Sequence, residues 1–209
     1  MATYGDIKTR IIAETTRDDL LDDYAANLAK AIAEAIQFYA PKRFWFNVYE
    51  ATANTAAGVQ TVAVPTGMRW FDMVIAQIGA GYRLRPETLT NIELLSLVGN
   101  AGQPTRYARY APHGVDAIKL YPTPSAVWGL QFIGTQDEPT LDSDSATNAW
   151  TLYADDLIAA RAKMLLCRDL FRDINKMQTA QAAEADALVR LRAESGHRTG
   201  RGRIRANFP

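Results

Sequence analysis

Cysteine is almost missing from this chain. Its 209 residues include one, Cys167, so no disulfide can close within it. Cys167 follows Met164, Leu165 and Leu166 and reads as a small buried hydrophobe. Histidine is equally scarce: His113 lies in a Pro-His-Gly turn and His197 far away near the end, which gives no zinc-type ligand set. There is no phosphate-binding loop, dinucleotide fingerprint or nucleophile elbow, and no run of 18 apolar residues to cross a membrane. Residues 1–6 show no basic start leading into an apolar stretch, so no signal peptide is expected, and the setting expected is a reducing cytoplasm or a particle assembled there. Neither sign of charge is in excess, with 23 Lys+Arg against 23 Asp+Glu. That balance argues against a generally basic nucleic-acid binder and against a disordered acidic chain.

What is present is an ordinary globular composition, 48% apolar and 22% charged, enough for one sizeable domain or one domain with a large insertion. Thr3, with Asp6 three residues on, predicts a first helix with Ile7, Ile11 and Ile12 on one face. Asp18 or Asp19 can cap a second, whose stripe is Leu21, Tyr24, Leu28, Ile32, Ile36 and Tyr39. Pro41 ends it. From about residue 44 the pattern becomes β-branched and aromatic. Strands are expected over Phe44–Tyr49, Val59–Val64, Trp70–Ile78, Arg106–Tyr110, Ala117–Tyr121 and Trp128–Ile133, with Tyr82–Arg85 as a hairpin partner and a short helix over Thr88–Val98 sharing Leu89, Ile92 and Leu95 or Leu97. Asn148 then predicts one long helix with the stripe Trp150, Tyr153, Leu157, Ala160, Met164, Cys167 and Phe171, packed on the second helix. An alanine-rich helix follows from Ile174 to about Glu194, its thin apolar face suited to the periphery or to a neighbouring subunit. Gly196 should end it. The fold class is therefore α+β: helices at 1–42 and 137–195 form a bundle, 43–136 is a β-rich insertion, and 196–209 is a flexible basic tail.

The neutral total hides a polarity. Gly196–Pro209 has four arginines, three glycines and no acid, which leaves 19 basic and 23 acidic residues before it. Arg198, Arg201, Arg203 and Arg205 can pair with phosphates, or order on an acidic groove of a protein with Phe208 as an anchor. The adjacent carboxylates Asp18-Asp19, Asp22-Asp23 and Asp155-Asp156 suit helix starts rather than an acid–base pair, because neighbours on a helix point apart. Any catalytic pair would be assembled from distant segments. Phe44, Trp45 and Phe46 do not alternate with polar residues, so they are core rings or a binding patch. Arg83, Arg85, Arg106 and Arg109 suit ion pairs or a subunit interface better than base reading.

The order of short motifs is more telling than any one of them. Thr3-Tyr4-Gly5-Asp6-Ile7-Lys8-Thr9-Arg10 precedes the Asp-Asp of the second helix. Then come Pro104-Thr105-Arg106-Tyr107-Ala108, Ile118-Lys119-Leu120-Tyr121-Pro122-Thr123-Pro124, Glu138-Pro139-Thr140-Leu141 and Asn148-Ala149-Trp150-Thr151-Leu152-Tyr153-Ala154-Asp155-Asp156-Leu157. Over nearly its whole length the chain resembles the head-to-tail adaptor proteins of tailed bacteriophages, also called head completion or connector proteins. The resemblance implies a structural protein of the virion's head–tail connector region, assembled in the host cytoplasm, with no enzyme activity, cofactor, metal or membrane. It implies a ring of neighbouring copies, usually a dodecamer, docked on the portal protein. Such a ring extends the channel for packaged DNA without sequence-specific binding and gives tail or nozzle proteins their platform. The portal-docking elements would be the Ile174–Glu194 helix and the tail, with Arg198, Arg201, Arg203, Arg205 and Phe208 as contacts. Two other readings stay open: a peptidoglycan-acting glycoside hydrolase of the virion, and a DNA-binding module using the arginine-rich tail.

Overall fold

The structure is a computed structural model that describes residues 2–15 and 21–198. N- and C-terminal helices flank a β-rich middle, the α+β arrangement expected. The chain divides into two compact units. One comprises residues up to Asn47 together with those from Glu138 onward, and the other is Val48–Asp137.

In the helical unit, α1 (Tyr4–Thr15) starts on a reciprocal cap. Thr3 Oγ1 accepts from the Asp6 N–H at 3.2 Å, and Asp6 accepts from the Thr3 N–H at 2.8 Å. Ile7 and Ile11 are buried but Ile12 is 48% exposed. Neighbours on a helix stand 100° apart, and the arc α1 turns to the core includes Ile11 alone of that pair. Helix α2 (Leu21–Tyr39) buries Leu28, Ala31, Ile32, Ala35 and Tyr39.

The expected strand over Phe44–Tyr49 is not formed before Val48. Trp45–Asn47 is instead a 3₁₀ turn. The Asn47 side chain accepts from the Phe44 N–H at 2.7 Å and donates to the Lys42 carbonyl at 2.8 Å, local bonds that outcompete a strand ladder. The turn points Phe44 and Phe46 at Trp150, both edge-on with centroids 5.7 and 5.1 Å away. The rings are thus core packing.

The single helix expected from Asn148 is three pieces: α4 (Ala149–Tyr153), α5 (Asp155–Leu166) and a π-helical turn over Cys167–Phe171. Asn148 and Thr151 form the capping box of α4. The break is at Ala154, whose φ of −139° is not helical, and the register change leaves Tyr153 47% exposed and off the buried stripe. Buried almost all round, α5 is the central helix, packed against α1, α2 and α6. Arg172, at φ 51°, turns the chain into α6 (Ile174–Arg198).

Helix α6 does not stop at Gly196. It continues to Arg198, whose guanidinium pairs with Glu194 one turn back at 2.7 Å and lies 4.6 Å from the Trp45 ring centroid. The buried residues of α6 are Ala180, Glu184, Ala187 and Leu191, the stripe that packs on α5.

The β unit is built on two four-stranded sheets. The strands are β1 (Val48–Asn54), β2 (Thr61–Ala63), β3 (Met68–Ala76), β4 (Tyr82–Arg83), β5 (Arg85–Pro86), β6 (Ala101–Gly102), β7 (Arg106–Tyr110), β8 (Ala117–Tyr121), β9 (Thr123–Pro124) and β10 (Gly129–Gln136). One sheet runs β1-β10-β3-β4, the other β2-β8-β7-β5, and β6 pairs with β9. Tyr82–Arg85 is therefore not a simple hairpin arm. It changes sheets at the fully buried Leu84, so that β4 pairs with β3 and β5 runs parallel to β7. Alternation sends Phe71, Val74, Tyr107, Ile118, Leu120, Leu130 and Phe132 into one core.

Gly134 is required where β10 crosses a register shift in β3. A Cβ there would lie 1.9 Å from the Trp70 carbonyl oxygen and 2.5 Å from the Phe71 Cα. Helix α3 (Leu89–Ser96), capped by Thr88, packs on β7 and β8 through the buried Ile92. Leu97 lies beyond its end and is 82% exposed, so it does not share that face.

Candidate functional site

Of the predicted docking residues, Arg198 belongs to the last turn of α6, and Arg201, Arg203, Arg205 and Phe208 lie outside the described residues. Arg198 closes an aromatic end of the helical unit. Beneath it Trp45 packs edge-on to Phe46 and Tyr153, with centroids 5.0 and 5.7 Å away. Beside it a groove of about 230 Å³ is lined by Tyr153, Asp155, Asp156, Arg190, Leu191 and Glu194. Its carboxylates are answered by cations. Arg10 reaches Asp156 at 2.6 Å and Asp155 at 3.8 Å, and Arg190 reaches Asp156 at 3.8 Å. Asp155 and Asp156 thus start α5 and tie it to α1 and α6. The Asp18-Asp19 pair lies outside the described residues.

A second charged site was not foreseen. Glu184, in the middle of the α6 stripe, is only 7% exposed. It accepts a hydrogen bond from the Tyr39 hydroxyl and one from Arg161 of α5 at 3.2 Å. Burial, then the hydrogen bond and charge of Glu184, hold the Tyr39 hydroxyl protonated well above the ordinary tyrosine range. Arg161 also lies 3.9 Å from the Phe38 ring centroid, and Lys42 sits over Phe38 and Tyr39 at 4.2 and 4.4 Å. Burial and the charges of Arg192 and Arg161 lower the pKa of Lys42. The one sequence signal was a glutamate at a core position of an otherwise apolar stripe, Ala180-Glu184-Ala187-Leu191.

In the β unit the four arginines do not act together. Arg106 pairs with Glu87 at 3.1 Å. Arg83 and Arg85 are exposed on β4 and β5. Arg109 lies over the Trp70 ring at 3.4 Å and donates to the Phe71 carbonyl, and burial lowers its pKa. A groove of about 570 Å³ opens there, in which Arg69 and Arg109 face Asp116 and Asp137. Its charges balance, with Arg69 reaching Asp137 at 3.4 Å. Among the described residues no group of three or more His, Cys, Asp or Glu is placed to hold a metal, and no helix is long and apolar enough to cross a membrane. Cys167 is buried.

The described residues thus present a cation cluster at Lys42 and Arg161 and, in each unit, a groove lined by both signs of charge. The family model described as SU10 adaptor protein matches residues 2–206. No curated protein matches the chain.

Proposed function

The chain belongs to the SU10 adaptor protein family, and on that footing we propose that it is a structural adaptor of a tailed phage virion. In this reading copies form a ring that docks on the portal, extends the DNA channel and offers the tail its platform. One observation carries it: the family match spans both compact units and continues into the arginine-rich segment. The geometry gives support. Helix α6 has 25 residues, about 37 Å of helix, and commits one narrow stripe to its own unit. Its outer face, with Val189 66% exposed, is open to a neighbour. Beyond Arg198 the chain adds three further arginines and Phe208 with no acid, a composition suited to an acidic acceptor.

Deletion of residues 199–209 tests the docking assignment. Sedimentation with the portal of the same phage should show at least tenfold weaker binding, while circular dichroism keeps its helical amplitude, because many copies lose their contacts together. Docking that survives the deletion unchanged overturns the role given to Arg201, Arg203, Arg205 and Phe208.

A further inference from the structure

Helix α2 has opposite charge at its two ends. At the C-terminal end Lys42 and Arg161 pack on Phe38, Lys42 also on Tyr39, and Arg192 of α6 adds its charge to both Lys42 and Tyr39; the one carboxylate among them, Glu184, is already engaged by Arg161 and the Tyr39 hydroxyl. Lys42 and Arg192 have no ion-pair partner among the described residues, and Arg161 Nε is buried without an acceptor. Phe38, at the centre, is 45% exposed. Packing cations together under partial burial is costly in the free chain, as the lowered pKa of Lys42 reflects. An arriving carboxylate relieves that cost.

At the N-terminal end the sequence reads Asp18-Asp19-Leu20-Leu21-Asp22-Asp23, four carboxylates around two leucines. The two ends of α2 are complementary in charge. Asp22 and Asp23 belong to the first turn of α2, and its 19 residues hold the ends about 28 Å apart.

We propose that the Lys42–Arg161–Arg192 cluster receives the Asp18–Asp23 segment of a second copy of this chain. Carboxylates of that segment pair with Lys42 and Arg192, and a leucine covers the Phe38 ring. Donor and acceptor are different surfaces, so each copy gives at one end of α2 and takes at the other. Such a heterologous contact builds rings when its rotation closes. The proposal rests on the ring reading above and supplies the contact which that reading leaves open.

Charge exchange tests it. The variants are K42E/R192E, D22K/D23K and the four-fold combination, with K42Q/R192Q as a milder form; Arg161 is spared because it holds Glu184. Each is compared with wild type by sedimentation, alone and with the portal, after circular dichroism confirms the fold. Each reversal should raise the concentration needed for assembly by at least about tenfold, more at low salt than at high. The neutral variant should fall between, and the four-fold variant should return to within about threefold of wild type. Assembly unchanged by a reversal, or not restored in the combination, overturns this contact while leaving the ring reading intact. Binding of free duplex DNA that K42E/R192E abolishes reassigns the cluster to phosphates and overturns it as well. Wild type that never associates, alone or on the portal, overturns the ring reading and this contact together.

Discussion

The two units are held together by different physics. The β unit closes around an apolar cluster, with Leu130, Phe132 and Ile118 fully buried and Tyr107 the one tyrosine among its buried members. Its precision lies in the backbone, where a single glycine lets β10 pass β3. The helical unit buries more aromatic rings yet admits a carboxylate, a guanidinium and a hydroxyl where α2, α5 and α6 meet. A buried charge is tolerated only with its partner in place. The β unit is thus sensitive to volume, the helical unit to the loss of a charge. The polar network also gathers cations at the C-terminal end of α2.

Gly134→Ala should break the comparison most sharply. Its methyl group has no room against the Trp70 and Phe71 backbone. A cost above about 3 kcal/mol is expected, with hydrogen exchange rising across residues 48–137 and not in α2 or α5. Removing the charge in Glu184→Ala leaves Arg161 without its carboxylate. About 3 kcal/mol is expected from the helical unit, read as faster exchange in α2, α5 and α6.

Alkaline titration divides the units again. Because the folded pKa of Tyr39 is raised, its contribution is complete below the ordinary tyrosine value near 10 and is lost as pH climbs above it, by up to about 1.4 kcal/mol per pH unit. Lys42, with its pKa lowered, pulls the other way. Tyr39→Phe should flatten the alkaline loss of protection in the helical unit. The β unit keeps its own slope from Tyr107 and Tyr82, both raised by burial. Last, Asn148→Ala removes the side chain that caps α4 from 3.1 Å. It should cost about 1 kcal/mol, confined to the aromatic end around Trp150.

Local rules made some of this legible in the sequence. Arg106–Tyr110 and Ala117–Tyr121 are strands with the bounds expected, since turn residues at Pro112–Gly114 and Pro122 bracket them. Thr3 and Asn148 cap as their spacing implies. Other features had no local signal. Alanine is a good helix former, so nothing at Ala154 announces the break between α4 and α5. Asn47 converts an aromatic strand pattern into a turn through bonds that hydropathy does not register. The Tyr39–Glu184 contact joins residues 145 apart in the chain, which periodicity within any one helix cannot pair. The arginine-rich segment stood out by composition, whereas the cluster at Lys42 required three helices to meet.

In the proposed reading this chain joins a phage head to its tail. Mixing it with the portal of the same phage and measuring particle mass tests that most directly. One discrete added mass is expected, an integral number of copies closed into a ring on each portal. A portal that keeps its own mass at every concentration of the chain would contradict it.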